Sequence, residues 1–142
     1  MKKYYIVFLC LLFSFLGCKK DEIAFEKKYD WHPLKVTASA YNSVKSQTDG
    51  NPHITAFGDS LKPGLRYIAV SKDLYRKGLK HNTPVKINGF DSIYFVKDRM
   101  HGRWKNKIDI YMGTDVKSAK KWGRKKVLIS YGTLKPVDSL EK

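Results

Sequence analysis

Asp109 is the residue whose type and setting most strongly suggest chemistry. It lies in the segment Ile108–Met112, in which apolar and other side chains alternate. Alternate side chains of a β-strand point to opposite faces, so Asp109 and Tyr111 are predicted to share one face while the apolar residues point into a core. A carboxyl group inside an otherwise apolar strand requires a partner or a function, because burying an unpaired charge is costly.

The residues alone leave two interpretations of Asp109 open. It could give and take a proton, or it could pair with Lys107 or Arg103 on the surface of the fold. Strand parity places Lys105 and Lys107 on its face, and cations there would keep the carboxyl ionised. Asp98, eleven residues earlier, could be a turn residue that caps backbone amides.

Metal and nucleotide chemistry find little support in the chain. The four histidines have no spacing that suits zinc, and two cysteines cannot complete a site. The glycines are scattered turn residues, without the pattern of a phosphate-binding loop. We therefore predict no metal and no cofactor.

The first seventeen residues resemble a lipoprotein signal peptide. Lys2 and Lys3 form a positive start, and the apolar run that follows is short for a membrane span and ends at Gly17. Phe15–Cys18 resembles a lipobox, which predicts cleavage before Cys18 and acylation of its thiol and amino group. An ordinary secretory signal with an incidental Cys18 is the alternative. The acidic and basic residues just after Cys18 resemble a surface-export signal.

The chain of 142 residues carries 28 Lys plus Arg against 13 Asp plus Glu, a formal charge of +15. The imbalance lies in the body, where residues 34–132 hold 20 basic and 7 acidic side chains. Such a domain attracts polyanions. Because export argues against nucleic acid as a specific partner, anionic envelope polymers are the predicted partners, and a merely solvated basic surface is the alternative.

Short alternating segments separated by turns predict a small all-β fold with one domain. One helix is predicted from Asp115 or Thr114 to Gly123, and a second short turn over Lys72–Lys77. Six strands in about one hundred residues favour a closed barrel over a sandwich, because closure removes exposed edges. The predicted strands are 35–41, 67–70, 84–89, 93–96, 108–112 and 127–131.

From Thr37 to Ile129 the chain resembles the three-aspartate (3D) domain, a six-stranded double-psi β-barrel. That family includes membrane-bound lytic transglycosylase A and is related to rare lipoprotein A and expansin-like barrels. The resemblance rests on the order of several segments, namely Thr37–Tyr41, Ile54–Gly58, Ile68–Val70, Asp98, Ile108–Tyr111 and Ala119–Gly123. The first of the family's three aspartates falls at Ser71, and Arg99–Arg103 replaces the family's glycine-rich turn. Both departures bear on the substrate groove.

The resemblance implies a role for several residues. Asp109 would be the acid/base of a lytic transglycosylase, which protonates the glycosidic oxygen and then takes the proton of the C6 hydroxyl, and Asp98 would be its neighbour. Tyr41, Thr55 and Tyr111 would bind sugar hydroxyls. Trp104, in the loop before Asp109, would stack on a sugar ring, although packing on the barrel rim is equally compatible with its position. Without the resemblance, the sequence around Tyr41 favours packing of its side chain in the core.

The sequence thus predicts a signal peptide at 1–17, a lipidated tether at 18–34, a double-psi barrel at 35–133 and a polar tail at 134–142. The predicted activity is cleavage of peptidoglycan glycan strands from a lipid-anchored barrel. The alternative is a non-catalytic lipoprotein that binds peptidoglycan or another anionic glycan. The predicted location is the outer membrane, at its periplasmic face or at the cell surface. At the cell surface the protein would meet host or environmental polyanions and not the cell's own peptidoglycan.

Overall fold

The computed structural model describes residues 21–44 and 51–136. The predicted signal peptide, Cys18 and most of the predicted tail lie outside these ranges. The described chain contains six strands and two short helices within its main unit. The strands are β1 Tyr29–Tyr41, β2 Tyr67–Val70, β3 Pro84–Ile87, β4 Ile93–Arg99, β5 Lys107–Tyr111 and β6 Lys125–Leu134.

The six strands close into a barrel in the order β1-β5-β2-β4-β3-β6. Two neighbouring pairs are parallel, β1 with β5 and β2 with β4, and the other printed pairings, β2 with β5, β3 with β4 and β3 with β6, are antiparallel. The order crosses the sequence repeatedly, as a double-psi barrel requires and a simple meander does not. The predicted all-β, six-stranded barrel is therefore confirmed.

Both predicted helices are present, and their ends have physical causes. Helix α1 is Lys72–Lys77, and helix α2 is Val116–Trp122. Asp115 caps α2, since its carboxylate accepts the Ser118 backbone N–H at 2.9 Å. Gly123 ends α2 with a positive φ of 67°, a conformation that suits glycine. These short helices cover the barrel between strands.

The barrel interior is a single apolar core that fixes the strands. Alternate residues of every strand point inward, so that on β5 both Ile108 and Ile110 are fully buried around half-buried Asp109. Valine and isoleucine dominate this core, as their preference for strands leads one to expect. The fully buried large apolar side chains are Val36, Ile68, Val70, Leu74, Leu79, Val85, Ile87, Val96, Ile108, Ile110 and Ile129.

The first and last strands along the chain, β1 and β6, are longer than predicted. β1 begins at Tyr29 and not at Lys35, and β6 extends to Leu134. Closure explains the difference, because His32 on β1 hydrogen-bonds Thr133 on β6 at 2.8 Å. Pro33 lies in the first of these segments and disfavours a strand, and none of residues 29–34 is fully buried, so the sequence carries no clear strand signal there.

Backbone contacts group the described chain into two units, Trp31–Thr133 and a flanking unit whose described residues are 21–30 and 134–136. In the flanking unit, residues 21–27 are helical. Lys135 donates its backbone N–H to the Lys28 carbonyl at 3.0 Å, and its ammonium lies 4.0 Å from Asp30. None of the helices among the described residues is long and apolar enough to cross a membrane.

Candidate functional site

A row of four residues crosses four neighbouring strands and places the two predicted carboxyls near each other. Asp109 on β5 pairs with Ser39 on β1 and with Ala69 on β2, and Ala69 pairs in turn with Asp98 on β4. A single strand therefore separates the two aspartates. Because Ala69 carries only a methyl group, the row leaves space above it between the carboxyls.

Asp109 is held by a hydroxyl and not by a cation. The Ser39 hydroxyl donates to Asp109 Oδ1 at 2.5 Å. Burial raises the pKa of Asp109, against the opposing effects of the Ser39 hydrogen bond and of the Lys107 and Arg124 charges. Among the residues the structure describes, Asp109 forms no ion pair, so the alternative of a surface pair with Lys107 or Arg103 is not realised here.

Asp98 combines both of its sequence-based interpretations. Its Oδ1 accepts the backbone N–H groups of Ala56 and Arg99, each at 2.8 Å, which is the capping role. Burial nevertheless raises its pKa above the usual range for a carboxyl, the two backbone hydrogen bonds oppose the rise, and the charges of Asp109 and Asp59 add to it. Asp98 thus anchors the loop around Ala56 while its carboxyl remains beside the groove.

The two aspartates line a groove of about 230 Å³. The Tyr41 hydroxyl is buried in this region and has no hydrogen-bond partner among the residues that the structure describes. Burial and the nearby Asp98 and Asp109 carboxyls raise the pKa of Tyr41 far above its usual range, so this hydroxyl keeps its proton and can donate it in a hydrogen bond. The groove is lined by Tyr41, Pro52, Ile54, Leu61, Ala69, Asp98, Arg99, Met100, His101, Trp104 and Asp109.

Trp104 lies at the rim of this groove, as predicted, but cations surround its ring. Lys107 Nζ lies 3.9 Å from the ring centroid. The guanidinium carbons of Arg103 and Arg124 lie at 5.1 and 5.4 Å. We call Trp104 together with Arg103, Lys107 and Arg124 the Trp104 cluster.

Two other predicted sugar-binding residues lie outside the groove lining. The Thr55 hydroxyl accepts the backbone N–H groups of Phe57 and Asp59 at 3.3 and 3.0 Å, so it stabilises a turn. The Tyr111 hydroxyl hydrogen-bonds Ser43 at 2.8 Å. Its ring lines a separate pocket of about 420 Å³. Tyr111 contacts the Tyr41 ring, at 5.4 Å between centroids, and thus supports the groove from behind.

Ser71, at the position that the resemblance to the 3D domain assigns to an aspartate, stabilises the barrel in this chain. Ser71 is fully buried, and its hydroxyl accepts the Lys107 backbone N–H at 3.1 Å. Its own N–H donates to the Lys107 carbonyl at 2.9 Å. Asp73 does not replace the missing carboxyl, because it accepts the Asn106 N–H at 2.8 Å and lines a different, smaller pocket.

Sequence reasoning missed Ser39, Ala69 and Arg124. Each belongs to the site only through strand pairing or chain return, and a sequence without known pairing has no signal for either. Lys107, with Lys105, was weighed as an objection to Asp109; the charge of Lys107 does oppose the rise in the pKa of Asp109, but burial outweighs it. Within residues 21–44 and 51–136 no group of three or more His, Cys, Asp or Glu could hold a metal ion.

No protein-family model matches the chain, and neither does any curated protein. The crystal structure of apo expansin from Clavibacter michiganensis is similar over 75% of this chain and 52% of that one, at 20% identity and a TM-score of 0.46. A mutant of that expansin in complex with cellohexaose gives 19% identity and a TM-score of 0.45 over the same shares. The chain spans about half the length of these expansins.

Proposed function

We propose that this chain binds glycan strands of the bacterial cell envelope, with peptidoglycan as the first candidate, in the groove between Asp98 and Asp109. The observation that carries the proposal is the groove itself, which brings two carboxyls, the donor hydroxyl of Tyr41 and the Trp104 ring together at the surface of a rigid barrel. Carboxylates accept hydrogen bonds from sugar hydroxyls, and an aromatic ring contacts the apolar face of a pyranose.

Peptidoglycan is favoured by two features outside the groove. The resemblance to the 3D domain implies a cell-wall ligand, and the excess positive charge of residues 34–132 suits the carboxylates of peptide stems. The lipoprotein signal at 1–17 and Cys18 would keep the barrel at the outer membrane, where this polymer is in reach from the periplasmic face.

Co-sedimentation of the full chain in detergent with purified peptidoglycan sacculi tests this proposal. We expect retention that persists at high salt, because sugar recognition is less sensitive to salt than binding by charge alone. Asp98→Asn with Asp109→Asn should release the protein, whereas the matched control Asp91→Asn, an exposed carboxyl in the β3–β4 turn, should not. If high salt abolishes retention, or if the double variant is retained as well as the unaltered chain, the groove is excluded as the binding site.

Catalysis is a second candidate, and the raised pKa values of Asp98 and Asp109 favour it. A lytic transglycosylase needs one carboxyl that is protonated at the start. Asp109 would give its proton to the glycosidic oxygen as the bond to C1 breaks. Its carboxylate would then take the proton of the C6 hydroxyl, whose oxygen bonds to C1 and closes a 1,6-anhydro ring.

Mass spectrometry of the products released from sacculi decides between binding and catalysis. Anhydro-muropeptides from the unaltered chain and from Asp91→Asn, but not from Asp109→Asn, would assign the acid/base to Asp109. Reducing-end products would instead indicate hydrolysis by water. Retention without any product leaves the binding function.

Membrane attachment is proposed from the sequence and has its own test. The intact mass of protein extracted from membranes should exceed that of residues 18–142 by two or three acyl chains, and Cys18→Ser should abolish both the added mass and the membrane fraction. Protease treatment of intact cells then separates the cell surface from the periplasmic face, since only a surface protein is cleaved.

A further inference from the structure

Trp104 separates two concave surfaces of different charge. On one side its ring lines the groove with Asp98 and Asp109. On the other it lines a pocket of about 100 Å³, whose remaining lining residues are Lys72, Asp73, Arg76, Gly102 and Lys105. A ligand that crosses Trp104 thus passes from a carboxyl-lined groove to a basic surface.

The Trp104 cluster carries three positive charges, which Asp109 offsets only in part. Neither Arg103, Lys107 nor Arg124 forms an ion pair within the part of the chain that the structure describes. Lys107 is only 6% exposed. Burial lowers its pKa, as do the like charges of Arg124 and Arg103, while Asp109 opposes the change. Three cations around one ring repel one another, and an anion placed among them would relieve that repulsion.

We propose that the Trp104 cluster is a subsite for the acidic substituent, a carboxylate or a phosphate, of a glycan whose neighbouring sugar lies in the Asp98–Asp109 groove. The inference rests on the proposed glycan-binding function and gives it a substrate class. Guanidinium groups suit such an anion, because they offer paired N–H donors to two of its oxygens.

The two carboxyls in the groove, which Arg99 also lines, restrict which anionic polymer fits. The carboxylates of Asp98 and Asp109 would repel a chain that carries a negative charge on every unit. They accept hydrogen bonds from a neutral sugar rich in hydroxyl groups. The favoured ligand therefore alternates an acid-bearing sugar with a neutral one, so that the acid lies at the Trp104 cluster and the neutral unit in the groove. Single-stranded nucleic acid, with a phosphate at each unit, fits this arrangement poorly.

Calorimetry with matched hexasaccharides tests the subsite on the full chain in detergent. The probes are a hyaluronan hexasaccharide, which alternates uronic acid with N-acetylhexosamine, and the same compound with its carboxyls methyl-esterified. We expect the acidic form to bind about tenfold more tightly, the worth of roughly one charged hydrogen bond. Arg103→Gln with Arg124→Gln should abolish that difference and leave the affinity for the ester unchanged.

The matched control removes the same two charges elsewhere. Lys62→Gln with Lys117→Gln alters exposed cations outside the cluster, and it should retain the tenfold preference. Equal binding of acid and ester by the unaltered chain would overturn the subsite while leaving the groove and the proposed function intact. No binding of either form, together with no retention on sacculi, would overturn both.

Two further probes identify the chemistry that the cluster accepts. Competition by poly(glycerol phosphate) that depends on Arg103 and Arg124 would assign a phosphate as an accepted acid, and its failure beside binding of hyaluronan would assign a carboxylate. A hexanucleotide that binds as tightly as the acidic hexasaccharide, with the same dependence on both arginines, would overturn the glycan assignment in favour of a general polyanion surface.

Discussion

Asp59, in one part of the barrel, is paired with basic side chains, whereas among the described residues Asp98 and Asp109, in the groove, are not. Asp59 lies 2.8 Å from Lys97 Nζ and 2.6 Å from His81 Nε2. Burial opposes its ionisation, but hydrogen bonds from these two residues outweigh that effect and hold the pKa of Asp59 below its usual value. Within the described part of the chain, the hydrogen-bond donors to Asp98 are two backbone amides and the donor to Asp109 is a serine hydroxyl, and burial raises the pKa values of both carboxyls.

The difference separates a carboxyl that stabilises the fold from carboxyls that are available to a ligand. The paired carboxylate of Asp59 lowers the free energy of the native state and uses both of its oxygens within the fold. A partly desolvated carboxyl without a cation costs stability, and such a cost is common at functional sites, where groups are arranged for a ligand and not for the fold.

Ile110→Ala should have the largest effect, because it disturbs β5, the strand that carries Asp109. Ile110 is fully buried beside Asp109 on β5. The truncation should lower the free energy of unfolding by about 4 kcal/mol, since it leaves a cavity in the barrel core. Chemical denaturation measures the loss. Leu128→Ala, at a position 49% exposed, is the control and should change stability by less than about 0.5 kcal/mol; equal losses would contradict the assigned core.

Ser71→Asp tests whether the groove could accept a third carboxyl, at the position that the resemblance to the 3D domain assigns to an aspartate. Ser71 is buried, so the new side chain should cost about 3 kcal/mol at pH 7. Burial would raise the folded-state pKa of this carboxyl above its unfolded value, so the native state binds more protons and the penalty shrinks as the pH falls towards 4. Ser71→Asn is the uncharged control, with a smaller loss that does not depend on pH. An unchanged stability for Ser71→Asp would indicate that position 71 opens into the groove.

Local patterns in the sequence predicted most of the fold. The alternation around Asp109, the capping pair Asp115 and Gly123 and the turn-bounded strands are properties of short segments, and all three agree with the structure. The strand residues at 29–34 and 132–134 were missed because Pro33 lies in the first segment, few of these side chains are buried, and their partners are distant in sequence.

The site could be predicted only in part, because it is made by strand pairing. Asp109 and Asp98 were found from their setting and from a family resemblance. Ser39 and Ala69 complete the row through registers between β1, β5, β2 and β4 that no local pattern encodes. Arg124 reaches Trp104 from the turn after α2, a return of the chain that cannot be seen in the sequence.

Asp59→Asn should convert the paired carboxyl into a neutral group at a loss of about 1 kcal/mol at pH 7, the usual worth of a partly exposed ion pair. The folded-state pKa of Asp59 is lowered, so its contribution exists above the unfolded value near 3.9 and is lost as the pH falls through the folded value. Denaturation at pH 7 and at pH 3 measures the difference. Asp91→Asn, which is exposed, should have no such dependence; a similar one there would contradict the special role of Asp59.

Asp109→Asn should have the opposite sign, with a gain of about 0.5–1 kcal/mol at pH 7. Asparagine keeps an oxygen for the Ser39 hydroxyl and removes the desolvated charge. Because the folded-state pKa of Asp109 is raised, ionisation destabilises the native state as the pH rises through that value, so the gain should disappear towards pH 4. Thermal denaturation at both pH values measures it, and Ser39→Ala, which removes the donor, should instead lower stability. A loss of stability for Asp109→Asn at pH 7 would mean that this carboxylate is paired as Asp59 is, and the distinction between the two groups would fail.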